Sequence, residues 1–122
     1  IQATGAARET TTTYDSSASS LKLPDAAELF LMRVPVTNTS TTFALRVYRE
    51  ADYAGDLPQM IVRQAGQSDN TDTDTGDAGA WNELSVTCTP AASPGWVDIF
   101  VVSRNTATSG NYDVFFDSFT VT

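Results

Sequence analysis

Residues 81–122 read WNELSVTCT-PAASPG-WVDIFVVSR-NTATSGN-YDVFFDSFTVT. Three apolar runs, Trp81–Thr89, Trp96–Arg104 and Tyr112–Thr122, are separated by two turn clusters, Pro90–Gly95 and Asn105–Asn111. Val, Ile, Phe, Tyr and Trp suit a pleated, half-buried surface, and Pro, Gly, Ser and Asn punctuate it. The runs therefore predict strands joined by short connections. A sheet with an apolar face needs a second layer over it, and the rest of the chain must supply that layer.

The last run contains a break in its own period. Val114 and Phe116 share one parity, whereas Phe119 and Val121 share the other. Both pairs have core character, so the alternation must slip at Asp117 and Ser118. A β-bulge, which inserts one extra residue into a strand, makes such a slip.

Upstream, Phe43, Leu45 and Val47 alternate with Ala44, Arg46, Tyr48 and Glu50, which predicts a strand with one buried and one wet face. Ala27–Val36 is apolar on both parities. Asp25 could cap a helix there, but Pro35 and the valines favour a strand, central or under a covering loop. Gln59–Ala65 and Ser20–Leu23 read as further strands, the latter stopped by Pro24 and Asp25. Arg8–Tyr14 is threonine-rich and reads as an edge strand. Ser16–Ser20, Asn38–Thr41 and Tyr53–Pro58 read as loops or turns. Residues 66–80, rich in Asp, read as a long solvated loop. The sum is about eight strands, no helix, and an antiparallel two-sheet β-sandwich of jelly-roll type.

The chain of 122 residues suits one domain with one core. It opens at Ile1 with no signal-peptide pattern, as expected for a part or a processed form of a longer chain. No apolar run is long enough to span a membrane. Fifteen acidic residues face seven basic ones, a net charge of −8, which opposes nucleic acid as a partner and suits salty or extracellular surroundings. Cys88 is the single cysteine and falls on the apolar parity with Leu84 and Val86, so it reads as core. Without histidine the chain has no His-based triad and no His metal ligand.

Asp117, an acid in an apolar strand beside the slip, has two readings: a ligand for structural calcium, or a carboxylate satisfied by neighbouring backbone N–H groups. The run Asp69, Asn70, Asp72, Asp74, Asp77 has oxygen donors at nearly alternate positions. Compared with a calcium loop, its glycine is displaced by one and the distal Glu is missing, leaving an acidic loop as the alternative. Tyr48 lies on the wet face of its strand with Arg46 and Glu50, and Trp96 opens another strand beside Asp98. If these strands share a sheet, Tyr48, Arg46, Arg63, Trp96 and Asp98 form a sugar-binding groove; otherwise the aromatics cover the sandwich's flank. Trp81 reads as closing the end of the core. Glu50, Glu83 and Asp98 are available as paired carboxylates for glycoside hydrolysis. None sits in a recognisable motif and no nucleophile–base arrangement is visible, so an enzyme is not expected.

Three segments together resemble the jelly-roll carbohydrate-binding-like modules of secreted bacterial and phage or virion proteins. They are Tyr14–Leu23 (YDSSASSLKL), Trp81–Thr89 (WNELSVTCT) followed by Pro90 and Gly95, and Val114–Thr122 (VFFDSFTVT). The resemblance implies a structural calcium held by the closing-strand Asp, here Asp117. Such modules usually open with a strand carrying an Asn-Pro-x-Phe-Glu-like motif, and nothing before Tyr14 matches it. The resemblance therefore implies a missing first strand and an edge to be filled by a parent chain or a neighbouring subunit. The expected function is a non-catalytic module, extracellular or on a virion, that recognises a surface glycan through Tyr48, Arg46, Trp96 and Asp98. The alternative is a structural module of a larger assembly: a phage capsid decoration, a tail part or a surface-filament domain.

Overall fold

The computed structural model describes residues 7–15, 18–23, 26–103 and 113–122. The Pro24–Asp25 stop, Arg104, the Asn105–Asn111 turn and Tyr112 lie outside the described residues. Among the described residues there are nine strands: β1 (Ala7–Glu9), β2 (Ser20–Leu23), β3 (Ala26–Pro35), β4 (Thr41–Arg49), β5 (Gln59–Arg63), β6 (Asn70–Thr73), β7 (Trp81–Cys88), β8 (Trp96–Ser103) and β9 (Val114–Val121). They form two antiparallel sheets, β1-β2-β9-β4-β7 (sheet A) and β3-β8-β5-β6 (sheet B). The fold is an all-β sandwich, and among the described residues no helix could cross a membrane.

The core lies between the sheets. Sheet A contributes Leu23, Phe43, Leu45, Val47, Leu84, Val86, Val114 and Phe116; sheet B contributes Leu29, Met60, Val62, Val97, Ile99 and Val101. Each comes from the inward parity of its strand, so burial selects the register. Cys88 packs half-buried against this core, and burial pushes its thiol pKa up. A second, small cluster of Ile61, Phe100 and Val102, with Phe30 against it, lies on the outer side of sheet B. It explains why β8 is apolar on both parities.

The run Ala27–Val36 is a strand, but its period is not uniform. Register shifts between Ala26 and Leu29 and between Phe30 and Met32 turn Leu29, Met32 and Val34 inward. Arg33 and Pro35 lie opposite Asp98 and Trp96 on the outer side. The slip expected in β9 is present. Arg46 pairs with Asp117 and Ala44 with Thr120, so β9 spends one more residue than β4, and Ser118 takes φ 56°.

Residues 66–80 differ from the expected loop. Asn70–Thr73 form β6, which pairs with β5. The Asp72 carboxylate accepts the Ser85 N–H of β7 at 2.8 Å, closing one side of the sandwich. Asp74 is 2% exposed and Arg49 7% exposed, and they are joined Nε to Oδ2 at 2.7 Å. Asp74 Oδ1 also accepts the Gly76 N–H and the Asn82 amide. A polar run with no apolar residue gives no period to read; its strand is made by hydrogen-bond demand at a sheet edge.

Candidate functional site

Residues directly opposite across antiparallel strands share a face. On the outer face of sheet A this rule builds two parallel rows. Lys22 opposes Phe115, Phe115 opposes Tyr48, and Tyr48 opposes Trp81, so one row crosses β2, β9, β4 and β7. The Tyr48 ring lies 5.4 Å from Trp81 and 6.1 Å from Phe115, centroid to centroid. The next row holds Asp117, Arg46 and Glu83. Arg46 Nη2 reaches Glu83 Oε2 at 3.3 Å, and Lys22 Nζ reaches Asp113 at 3.4 Å. Aromatic rings thus run beside a line of charges. Phe115 is 2% exposed and serves as floor, whereas Tyr48 and Trp81 are half-buried.

The chain that leaves β1 lies over this face. The Glu9 carboxylate accepts the N–H groups of Thr10 and Thr11 at 2.9 and 2.8 Å, which turns the chain out of the sheet; the Thr11 bonds hold that carboxyl below its ordinary range. Ser20 Oγ donates to the Thr12 carbonyl at 2.6 Å. The Tyr14 N–H donates to Asp117 Oδ2 at 2.8 Å. The Tyr14 ring meets Trp81 edge-on at 5.7 Å and 69°, with the Arg46 guanidinium 4.8 Å from its centroid. Residues 10–15 therefore run from the β1 edge towards β7, above the charged row and beside the aromatic one. The expected strand Arg8–Tyr14 is a three-residue strand, β1, followed by this strap.

The structure separates the groove expected from sequence. Arg46 and Tyr48 lie on sheet A; Trp96, Asp98 and Arg63 lie on sheet B. The condition that these strands share a sheet is not met, and the two groups face away from each other across the core. On sheet B, Arg33 binds Asp98 with Nε and Nη2 at 2.8 and 3.2 Å and lies 4.8 Å from the Trp96 ring. Arg63 binds Glu28 and Asp69 and lies over Phe100 at 4.6 Å. These guanidinium bonds pull the Asp98 and Asp69 carboxyls below their ordinary range. Glu83 and Asp98 stand on opposite faces, so that pair cannot flank one glycosidic bond.

Calcium takes six to eight oxygens from several carboxylates and carbonyls. Among the described residues no three Asp, Glu, Cys or His side chains converge in this way. Asp117 gives one oxygen to the Tyr14 N–H and the other to Ser118 Oγ at 3.3 Å, with Arg46 opposite it. Asp69 faces Arg63, Asp72 the Ser85 N–H, and Asp74 Arg49. The bonds to Asp117 are those of the second reading from sequence, a carboxylate that accepts a backbone N–H.

Lys22, Tyr14, Trp81 and Phe115 were not marked as site residues from sequence. Trp81, expected to close the end of the core, stands instead on the outer face opposite Tyr48, because it takes the parity opposite to Leu84 and Val86; Phe115 takes the outward parity of β9. Their adjacency to Tyr48 needed the β4–β7 and β4–β9 pairings, and Tyr14 needed the path of the strap.

No family model matches the chain, and no curated protein matches it. Solved structures do. A family 16 carbohydrate-binding module superposes with a TM-score of 0.63 at 15% identity, covering 96% of this chain and 84% of that one. The CBM22-2 xylan-binding domain from Paenibacillus barcinonensis Xyn10C gives 0.63 at 14% identity, over 99% and 89%. The fold is that of a carbohydrate-binding module. The C-terminal domain of EclA, a sugar-binding protein, gives a TM-score of 0.56 at 16% identity, over 91% and 82%. The resemblance read from the three sequence segments is therefore a resemblance of fold over nearly the whole chain.

Proposed function

We propose that this is a non-catalytic, extracellular module that binds a glycan on the outer face of sheet A. The observation that carries the reading is the row of Tyr48 and Trp81 set beside Arg46 and Glu83 on one sheet face. A sugar ring offers apolar C–H faces and a polar rim. Aromatic rings take the first, and charged groups at their edge take the hydroxyls. Tyr48 and Trp81 are braced by each other, which reduces the ordering cost of binding. The fold shared with a xylan-binding domain and a sugar-binding protein supports the same reading. An extracellular setting follows from a polysaccharide ligand.

Binding to a panel of soluble and insoluble polysaccharides tests it. Tyr48→Ala and Trp81→Ala are each expected to weaken the best ligand by about tenfold or more, roughly the 1.4 kcal/mol lost with a stacking contact. Trp96→Ala, on the opposite face, is expected to bind as the unaltered protein does. A module that retains no glycan, or that loses binding only through Trp96, refutes the assignment. Chelation is expected to leave affinity and melting temperature unchanged, because the carboxylate of Asp117 is engaged by a backbone N–H.

A further inference from the structure

The strap adds a component to this site that the aromatic row alone does not reveal. Asp117 sits in the charged row, where direct contact with a ligand's hydroxyls would be the ordinary expectation. Its Oδ2 is instead taken by the N–H of Tyr14, a residue 103 positions away, at 2.8 Å. That bond holds the strap where the Tyr14 ring touches Trp81 edge-on and presents its face to the Arg46 guanidinium. Arg46 is in turn tied to Glu83. One carboxylate thus sets the position of a ring, and the ring touches two groups of the proposed platform. The bulge explains why Asp117 can do this. With Ser118 at φ 56°, the chain changes parity immediately after Asp117, which keeps Asp117 on the outer face while Phe119 returns to the core.

We propose that Asp117 is a positioning residue of the glycan site: it holds the strap, and through it Tyr14, as a third ring beside Tyr48 and Trp81. The strap makes a wall along the aromatic row, and Tyr14 is the part of that wall a sugar touches. This inference rests on the assignment of the glycan site to sheet A and specifies how that site is assembled.

Two measurements on the whole protein decide it. The first needs no ligand: hydrogen–deuterium exchange at the Tyr14 amide. Protection is expected in the unaltered protein and is expected to fall at least about tenfold in Asp117→Ala, since a hydrogen bond to a charged acceptor is lost. Asp117→Asn, which keeps an acceptor oxygen, is expected to retain part of it and provides the readout if the alanine variant does not fold. The second is a double-mutant cycle on glycan affinity with Asp117→Ala (or Asp117→Asn) and Tyr14→Ala. Each single change is expected to weaken binding by several-fold up to about tenfold, and the double variant to be no weaker than Tyr14→Ala alone. Additive losses would show that Asp117 touches the ligand itself and would overturn the proposal while leaving the site intact. Unchanged Tyr14 protection in both Asp117 variants would overturn it as well. Failure of the unaltered protein to bind any glycan would instead remove the site assignment, and this inference with it.

Discussion

Ser118 holds the left-handed backbone conformation that lets β9 change parity. A serine tolerates it, but a β-branched side chain there meets the following carbonyl. Ser118→Val is expected to cost about 1–2 kcal/mol in urea unfolding, whereas Ser118→Gly is expected to be neutral or mildly stabilising. Arg49 and Asp74 are the second case at this scale. The guanidinium and the carboxylate are both buried, and each answers the other's charge. Asp74→Ala leaves Arg49 buried without its main partner and is expected to cost about 3–5 kcal/mol. Replacing both with apolar residues should cost less than that single change, which urea unfolding of the two variants compares directly. The inward parity of Phe43, Leu45 and Val47 continues to Arg49 in the structure, a burial not expected of an arginine. Its partner was hidden because Asp74 sits in a run with no apolar period.

Among the elements, those with a strict period were legible in advance. The limits of β2 and the course of β4, β5, β7, β8 and β9 follow from alternation and turn residues, and so does the bulge in β9. β6 was missed because its residues are all polar, and its existence depends on the β5 edge and on Ser85 needing an acceptor. The candidate site was half legible. Outward parity placed Arg46 and Tyr48 on one exposed face, but it cannot say which strands are neighbours, so Trp96 and Asp98 were grouped with them across a core. β3 shows a different economy. Among the described residues it has one strand partner, β8, and it carries two register shifts, Pro35 and the outward Arg33. Bulges, proline and charge are the usual means by which an edge strand refuses another. Arg33→Val with Pro35→Val is expected to promote self-association, read by size-exclusion chromatography at rising concentration.

For the molecule as a whole, the net charge of −8 makes carboxylates the main source of pH dependence. Asp69 and Asp98 have folded pKa values depressed below 3.8 by Arg63 and Arg33. Their contribution is fully present above the unfolded value and is lost as pH falls through the lower folded value. The stability gap between the protein and Asp69→Asn/Asp98→Asn should therefore be constant from neutral pH to about 5 and close below about 3.8, as thermal melts across that range can show. Both pairs are exposed to solvent and screened, so the gap itself should be small.

The strand order also has a consequence in time. β9 is the middle strand of sheet A, yet it is last in sequence; Leu21 pairs with Phe116, and Arg46 with Asp117. During synthesis, β2 and β4 emerge from the ribosome well before the strand that joins them. Sheet A can close only after β9 is out, which makes folding a late, slow event typical of strands paired over long separations. Phe115 and Asp117 arrive with that same strand. A nascent chain halted before Val114 would therefore lack the floor of the aromatic row and the anchor of the strap together, and ligand affinity should appear in one step as β9 is released.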